Sequence, residues 1–186
     1  MSQAEGVLIT GVYGSGKSSV AAEIAYLLEQ QGEQQGEQQG EAQGEQHGER
    51  FALLDLDYLS WAGPDIADRA AEIELLSQNL AAIAPNFRRI GVTLFVLAYF
   101  VRAAAEVQAI RAALDLPLKV VRLAVPLAVI DQRLANDVTG GRRDDLREAA
   151  RQIATAEGVG LEDVTIVNDR PVQVVAQEIM TFLGWP

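Results

Sequence analysis

The sequence predicts an α/β fold, with helices on both faces of a five-stranded sheet, from three observations. Short apolar runs alternate with segments of helical periodicity from end to end. Each run is joined to the next through a helical segment, the connection that parallel strands require. The third run, Val92–Leu97, is apolar on both faces, the pattern of a strand buried inside a parallel sheet. A chain of 186 residues, 49% of them hydrophobic, suits a single domain with one sizeable core.

The elements follow in order. Val7–Thr10 is a short buried strand. Lys17 to about Gln30 is helical, with Val20, Ile24, Leu27 and Leu28 spaced for one face. Phe51–Leu54 forms the second strand. A helix runs from Asp65 to about Ile83, entered through Gly63-Pro64 and closed near Pro85. After the third strand, Arg102–Leu114 is an Ala-rich helix. Leu118–Val125 is the fourth strand, followed by a helix from about Leu127 to Ala135. Asp137–Gly141 is a loop, and Arg143 to about Glu157 is helical. Val164–Val167 is the fifth strand, and Pro171–Leu183 the last helix, with proline in its first turn.

Composition excludes several classes of function. The formal net charge is −11; five of the acids lie in one unusual segment, and the rest of the chain is near −6. That balance disfavours non-specific binding to nucleic acid or to an anionic membrane. The chain contains no cysteine, so disulfides, thiolate metal sites and thiol catalysis are excluded, and a reducing cytoplasm is compatible. No charged-then-apolar leader opens the sequence, and the longest apolar stretch, Gly91 to Val101, is too short to span a bilayer. The unusual segment, residues 32–49, reads GEQQGEQQGEAQGEQHGE, with glycine at every fourth position. Glycine at that density opposes helix, nothing apolar forms a face, and His47 alone among glutamates makes a poor metal site. The expectation is a low-complexity loop inserted between a helix and a strand.

The strongest signal is GVYGSGKSS, Gly11 to Ser19, placed between the first strand and the first helix. Gly11, Gly14, Gly16, Lys17 and Ser18 fit the phosphate-binding pattern G-x-x-x-x-G-K-[ST]. Glycines let the backbone curl so that N–H groups, including that of Ser15, point at phosphate oxygens. The helix starting near Lys17, with Ser19 in its first turn, adds its positive end. The Lys17 ammonium reaches the outer phosphates, and the Ser18 hydroxyl can ligate Mg²⁺. The pattern specifies triphosphate binding and leaves the reaction open.

A guanine-reading Asn-Lys-x-Asp is absent, and the third strand runs into Ala98-Tyr99 with no acid for the metal. The second strand supplies two. In an extended segment Asp55 and Asp57 point to the same side, beside the phosphate loop if strand two lies near strand one. One could hold Mg²⁺ and the other could accept a proton from an attacking hydroxyl.

On these residues the chain resembles the small P-loop kinases of the adenylate, shikimate, gluconate and adenylylsulfate kinase group, and their bacterial AAA-type kinase-like relatives. The resemblance covers nearly all of residues 1–186 apart from the glycine-glutamate tract. It implies a three-layer α/β/α P-loop NTPase fold with sheet order 2-3-1-4-5. It also implies transfer of the γ-phosphate of ATP, with Mg²⁺, to a small hydroxylated metabolite. Asp55 matches the Mg²⁺-side acid of that group and Asp57 the acid facing the acceptor. Arg133 matches an arginine lying along the adenine. The stretch of about 136–147 matches a lid, with Arg142 and Arg143 meeting the transferring phosphoryl group. Asn168 and Arg170 fall in the turn that passes the adenine. Trp61, Asn79, Asn86 and the pair Arg88-Arg89 fall in the acceptor-binding region, where an arginine commonly grips an anionic acceptor. A non-catalytic ATP-binding module and a slow NTP hydrolase are the alternatives.

Overall fold

The computed structural model describes residues 4–38, 49–62, 68–135 and 142–186, with 34–38 and 142–143 described by backbone alone. Strands β1 (Glu5–Thr10), β2 (Phe51–Asp55), β3 (Leu94–Ala98), β4 (Leu118–Ala124) and β5 (Val164–Val167) form one parallel sheet in the order β2-β3-β1-β4-β5. The helices are α1 (Lys17–Gln38), α2 (Asp57–Ser60), α3 (Arg69–Arg89), α4 (Ala104–Leu114), α5 (Leu127–Ala135), α6 (Arg142–Thr155) and α7 (Val172–Leu183). The architecture and sheet order are those expected of the P-loop NTPase fold.

Period-two alternation divides the core into two halves. Val7, Ile9, Val96, Val121 and Ile166 face α1 and α7, where they meet Val20, Ile24, Val175 and Ile179. Leu8, Phe95, Leu97 and Val120 face the other way, onto Leu76 and Leu80 of α3 and Ile110 of α4. A third, smaller cluster seats α5 and α6 against the phosphate loop through Val12, Ile130, Leu134 and Ala149. The first and last elements are tied together: Trp185 Nε1 donates to Glu5 Oε1 at 2.7 Å.

Beyond shifts of one or two residues at other ends, three boundaries differ from the sequence expectation. α1 continues to Gln38, through Gly32 and Gly36. Glutamine and glutamate are good helix formers and offset part of the glycine penalty. Residues 39–48, with His47, lie outside the described residues, as do Gly63-Pro64 and most of the lid stretch.

The second difference is at α3, which starts at Arg69, capped by Asp68 accepting from the Ala70 N–H at 3.0 Å, and passes through Pro85 to Arg89. Pro85 lies on the exposed side of the helix, while Leu76, Leu80 and Ala84 stay buried. Solvent can therefore satisfy the carbonyl that proline leaves without a donor, and the buried face continues. The third difference is that β2 ends at Asp55 and Asp57 opens the short helix α2, so the two aspartates do not share an extended segment.

Candidate active site

The phosphate loop joins β1 to α1 at the carboxyl end of the central strand, where ligands bind in parallel α/β sheets. Gly11 opens it. Gly14 and Gly16 have φ of 71° and 89°, values that L side chains rarely adopt. A Cβ on Gly16 would also stand 2.8 Å from Asn168 Nδ2. Two of the loop's N–H groups are used inside the protein: Ser15's turns back to the Val12 carbonyl at 3.1 Å, and Tyr13's donates to Gln152 Oε1 at 2.9 Å. The N–H groups of Gly14, Gly16, Lys17, Ser18 and Ser19 have no backbone partner among the described residues. They form the cradle, at the end of a helix whose first N–H groups have no partner within it. Ser15 Oγ is fully buried with no partner among the described residues.

The loop is braced from behind. The Ser15 carbonyl accepts from Asn168 Nδ2 at 2.7 Å and Arg133 Nη1 at 3.3 Å, and Arg133 Nη2 donates to the Asn168 carbonyl at 2.7 Å. Arg133 and Asn168 thus join α5 and the turn after β5 to the loop. Arg170 instead turns to α7, donating to Glu178 at 2.6 Å and to the Val167 carbonyl at 3.1 Å.

Lys17 Nζ lies 3.3 Å from the Val12 carbonyl. Burial lowers its pKa, and the charges of Asp57 and Asp55 oppose that shift. Ser18 Oγ donates to Asp55 Oδ2 at 2.6 Å. Asp55 Oδ1 in turn accepts the Asp57 N–H at 3.2 Å, and this bond turns the chain into α2 and sets Asp57 beside Asp55. Partial desolvation raises the Asp57 pKa; Lys17 lowers it, Asp55 and Glu72 raise it further, and Arg69 lowers it. Lys17, Ser18, Asp55 and Asp57 are therefore gathered as the sequence suggests. Among the described residues no three His, Cys, Asp or Glu cluster into a metal site. Mg²⁺ does not need one: it is held by one or two protein oxygens together with phosphates and water, and the Ser18–Asp55 contact offers such a pair.

Other expected residues stand elsewhere. Arg88 and Arg89 end α3, at the amino end of β3, across the sheet from the loop. Arg88 Nη2 donates to the Leu114 carbonyl and closes α4. The position is a consequence of α3 running on past Pro85 toward the start of β3. Asn79 donates to the Leu59 carbonyl at 2.6 Å and holds α2, while Asn86 bonds back to Ala82 on its own helix at 3.2 Å. Trp61 is 77% exposed and stacks on Tyr58, ring centroids 5.8 Å apart. The side chains of Arg142 and Arg143 lie outside the described residues.

The sequence reading missed a polar cluster beside Asp57. Arg69, at the start of α3, reaches across to Tyr99, Phe100 and Glu106 beyond the end of β3, with Glu72 one turn on. Burial pushes the Tyr99 hydroxyl well above the usual range, and it donates to Glu72 Oε1 at 2.8 Å. The i,i+3 spacing of Arg69 and Glu72 was a visible signal; their meeting with Glu106 was not, because 34 residues separate Glu72 from Glu106. Gln152, buried on α6, was likewise unmarked.

No protein-family model and no curated protein matches the sequence. Solved structures do. A sugar kinase from Janibacter sp. HTCC2649 matches with a TM-score of 0.62 at 17% identity, over 98% of this chain and 95% of that one. An APS kinase from Mycobacterium tuberculosis, in complex with AMPPNP and APS, matches with a TM-score of 0.59 at 23% identity, over 99% of both chains. A gluconokinase from Sinorhizobium meliloti 1021 matches with a TM-score of 0.59 at 18% identity, over 97% of this chain and 91% of that one. In fold, the chain is similar to the small P-loop kinases.

Proposed function

We propose that the protein is an ATP- and Mg²⁺-dependent phosphotransferase of the cytoplasm acting on a small hydroxylated molecule. The observation that carries this reading is the meeting of four groups at the carboxyl end of the sheet: Lys17 and Ser18 after β1, Asp55 and Asp57 at the end of β2, with Ser18 and Asp55 2.6 Å apart. The kinase fold of the solved neighbours agrees with it. The N–H groups of Gly14, Gly16, Lys17, Ser18 and Ser19 and the Lys17 ammonium bind the β- and γ-phosphates. Ser18 and Asp55 hold Mg²⁺, which neutralises charge on the phosphates when bound. Asp57 accepts the proton of the acceptor hydroxyl as its oxygen bonds to the γ-phosphorus. The bond from that phosphorus to the β–γ bridging oxygen breaks, and ADP leaves. Arg142 and Arg143 of the lid stabilise the charge spread over the transferring oxygens. Arg133 and Asn168 keep the loop in shape and flank the adenine end, with Arg170 in the same turn.

ATP consumption screened against metabolites, with wild type and Asp57→Asn, tests this. Acceptor-dependent ADP formation is expected, reduced by about 10²–10⁴-fold in Asp57→Asn. Phosphate release that needs no acceptor and survives Asp57→Asn would instead identify a hydrolase. ATP binding with no turnover under any acceptor would identify a binding module.

A further inference from the structure

Beside Asp57, where the acceptor hydroxyl sits on that reading, the described residues present one arginine, Arg69, and that arginine has nothing left to give. A guanidinium has five N–H donors. Nε donates to Glu106 Oε1 at 3.0 Å; Nη1 donates to Glu72 Oε1 and the Tyr99 hydroxyl, both at 2.9 Å; Nη2 donates to the Phe100 carbonyl at 2.9 Å and Glu106 Oε2 at 3.0 Å. All five are spent inside the protein. Glu106 is held through both oxygens, since its Oε2 also accepts the Arg102 N–H at 2.8 Å. Glu72 is not: Oε1 takes the bonds from Arg69, Tyr99 and Ser60, and Oε2 takes none among the described residues.

No other described cation makes up for this. Arg102 leans toward Glu148 and Glu157, at 4.0 and 3.9 Å. Arg133 is spent on the phosphate loop, and Arg88 lies at the other end of the sheet. Residues 63–67 contain no lysine or arginine, only Asp65 as a charge. Lys17, Arg142 and Arg143 belong to the phosphates in the reading above.

We infer that the acceptor carries no carboxylate, sulfate or phosphate on the side that meets Asp57, and is a neutral or amine-bearing polyol. This rests on the phosphotransferase reading and narrows it. An anion there would meet the carboxylates of Asp57 and Glu72 with no donor of Arg69 left to receive it, and like charges brought together reject a ligand. A hydroxyl or ammonium has the donor that Glu72 Oε2 lacks. Specificity is thus set by a carboxylate that Arg69 orients but does not fully neutralise.

The test uses the full chain with Mg²⁺ and AMPPNP and a set of matched sugars: hexoses, their hexosamines and their hexuronates. Binding is read by the fluorescence of Trp61, four residues from Asp57, against Trp61→Phe as the blank. The hexose or hexosamine of a matched trio is expected to bind at least about tenfold more tightly than the hexuronate. In Glu72→Gln that ratio is expected to fall by about tenfold. A preference for the hexuronate, or no non-anionic member binding at all, overturns the inference, as does an unchanged ratio in Glu72→Gln. Failure of Mg²⁺–AMPPNP itself to bind, measured first by calorimetry, would remove the phosphotransferase reading instead.

Discussion

At the scale of single residues, the carbonyl of Ser15 fixes the shape of the phosphate cradle, because two donors from different parts of the chain converge on it. Asn168 is buried, so its loss leaves that carbonyl with only the longer Arg133 bond. One such hydrogen bond contributes about 1–2 kcal/mol. Asn168→Ala is therefore expected to weaken ATP binding by about tenfold, and Arg133→Ala by a similar factor. Isothermal titration with ATP checks both; unchanged affinity would mean that the cradle holds its form unaided. Lys17→Ala should lose ATP binding more completely, as it removes the one ammonium the loop presents. Asn168 was visible in the sequence as a turn residue after a late strand. Its contact, 153 positions back along the chain, was not, because no local pattern records which distant carbonyl a buried amide will meet.

At the scale of elements, α6 is the support of the loop. Gln152 accepts the Tyr13 N–H and donates to Glu148 Oε1 at 2.9 Å. Glu148 is gripped by Arg151 at 2.6 Å, and Arg151 also meets Glu157. The Arg151 hydrogen bond pulls the Glu148 pKa down to about 2 from an ordinary 4.5. A carboxyl whose folded pKa is depressed stabilises fully above its unfolded value and loses that contribution as pH falls through the folded one. The docking of α6 should therefore loosen as pH drops from about 4.5 toward 2. Solvent exposure keeps the effect small. Amide exchange along α6 should rise in that window ahead of β4, and Glu148→Gln should flatten the response; α6 and β4 opening together would contradict it.

Elements were also where the sequence was most legible. Val7–Thr10, Val164–Val167 and Leu127–Ala135 stand close to where periodicity placed them, because burial on one or both faces writes a period into the chain. Pro85 misled because a proline on an exposed helix face costs less than a buried stripe gains. Asp57 came out beside Asp55 for a different reason from the one its spacing offered, a side-chain bond that turns the backbone. The Arg69 cluster was illegible since its members come from two helices and a strand end, brought together only by the sheet order.

At the scale of the whole molecule, the described helices include none long and apolar enough to cross a membrane. The net charge of −11 leaves the phosphate loop as a local positive site in an acidic protein, so on the proposed function backbone geometry rather than overall field selects the triphosphate. The glutamates of residues 32–49 contribute much of that charge, and α1 buries nothing apolar past Leu28. Replacing residues 34–48 with a short Gly-Ser linker should change stability by less than about 1 kcal/mol, since loop length enters only logarithmically. ATP affinity should not change. Chemical denaturation and titration of the two forms check this, and a large loss of either would give the tract a role. The bond between Glu5 and Trp185 has a consequence for connectivity: it sets the start of β1 beside the residues that follow α7. Bridging residue 186 to residue 4 and cutting within 39–48 would begin the molecule at β2 and finish it at α1, with every strand keeping its neighbours.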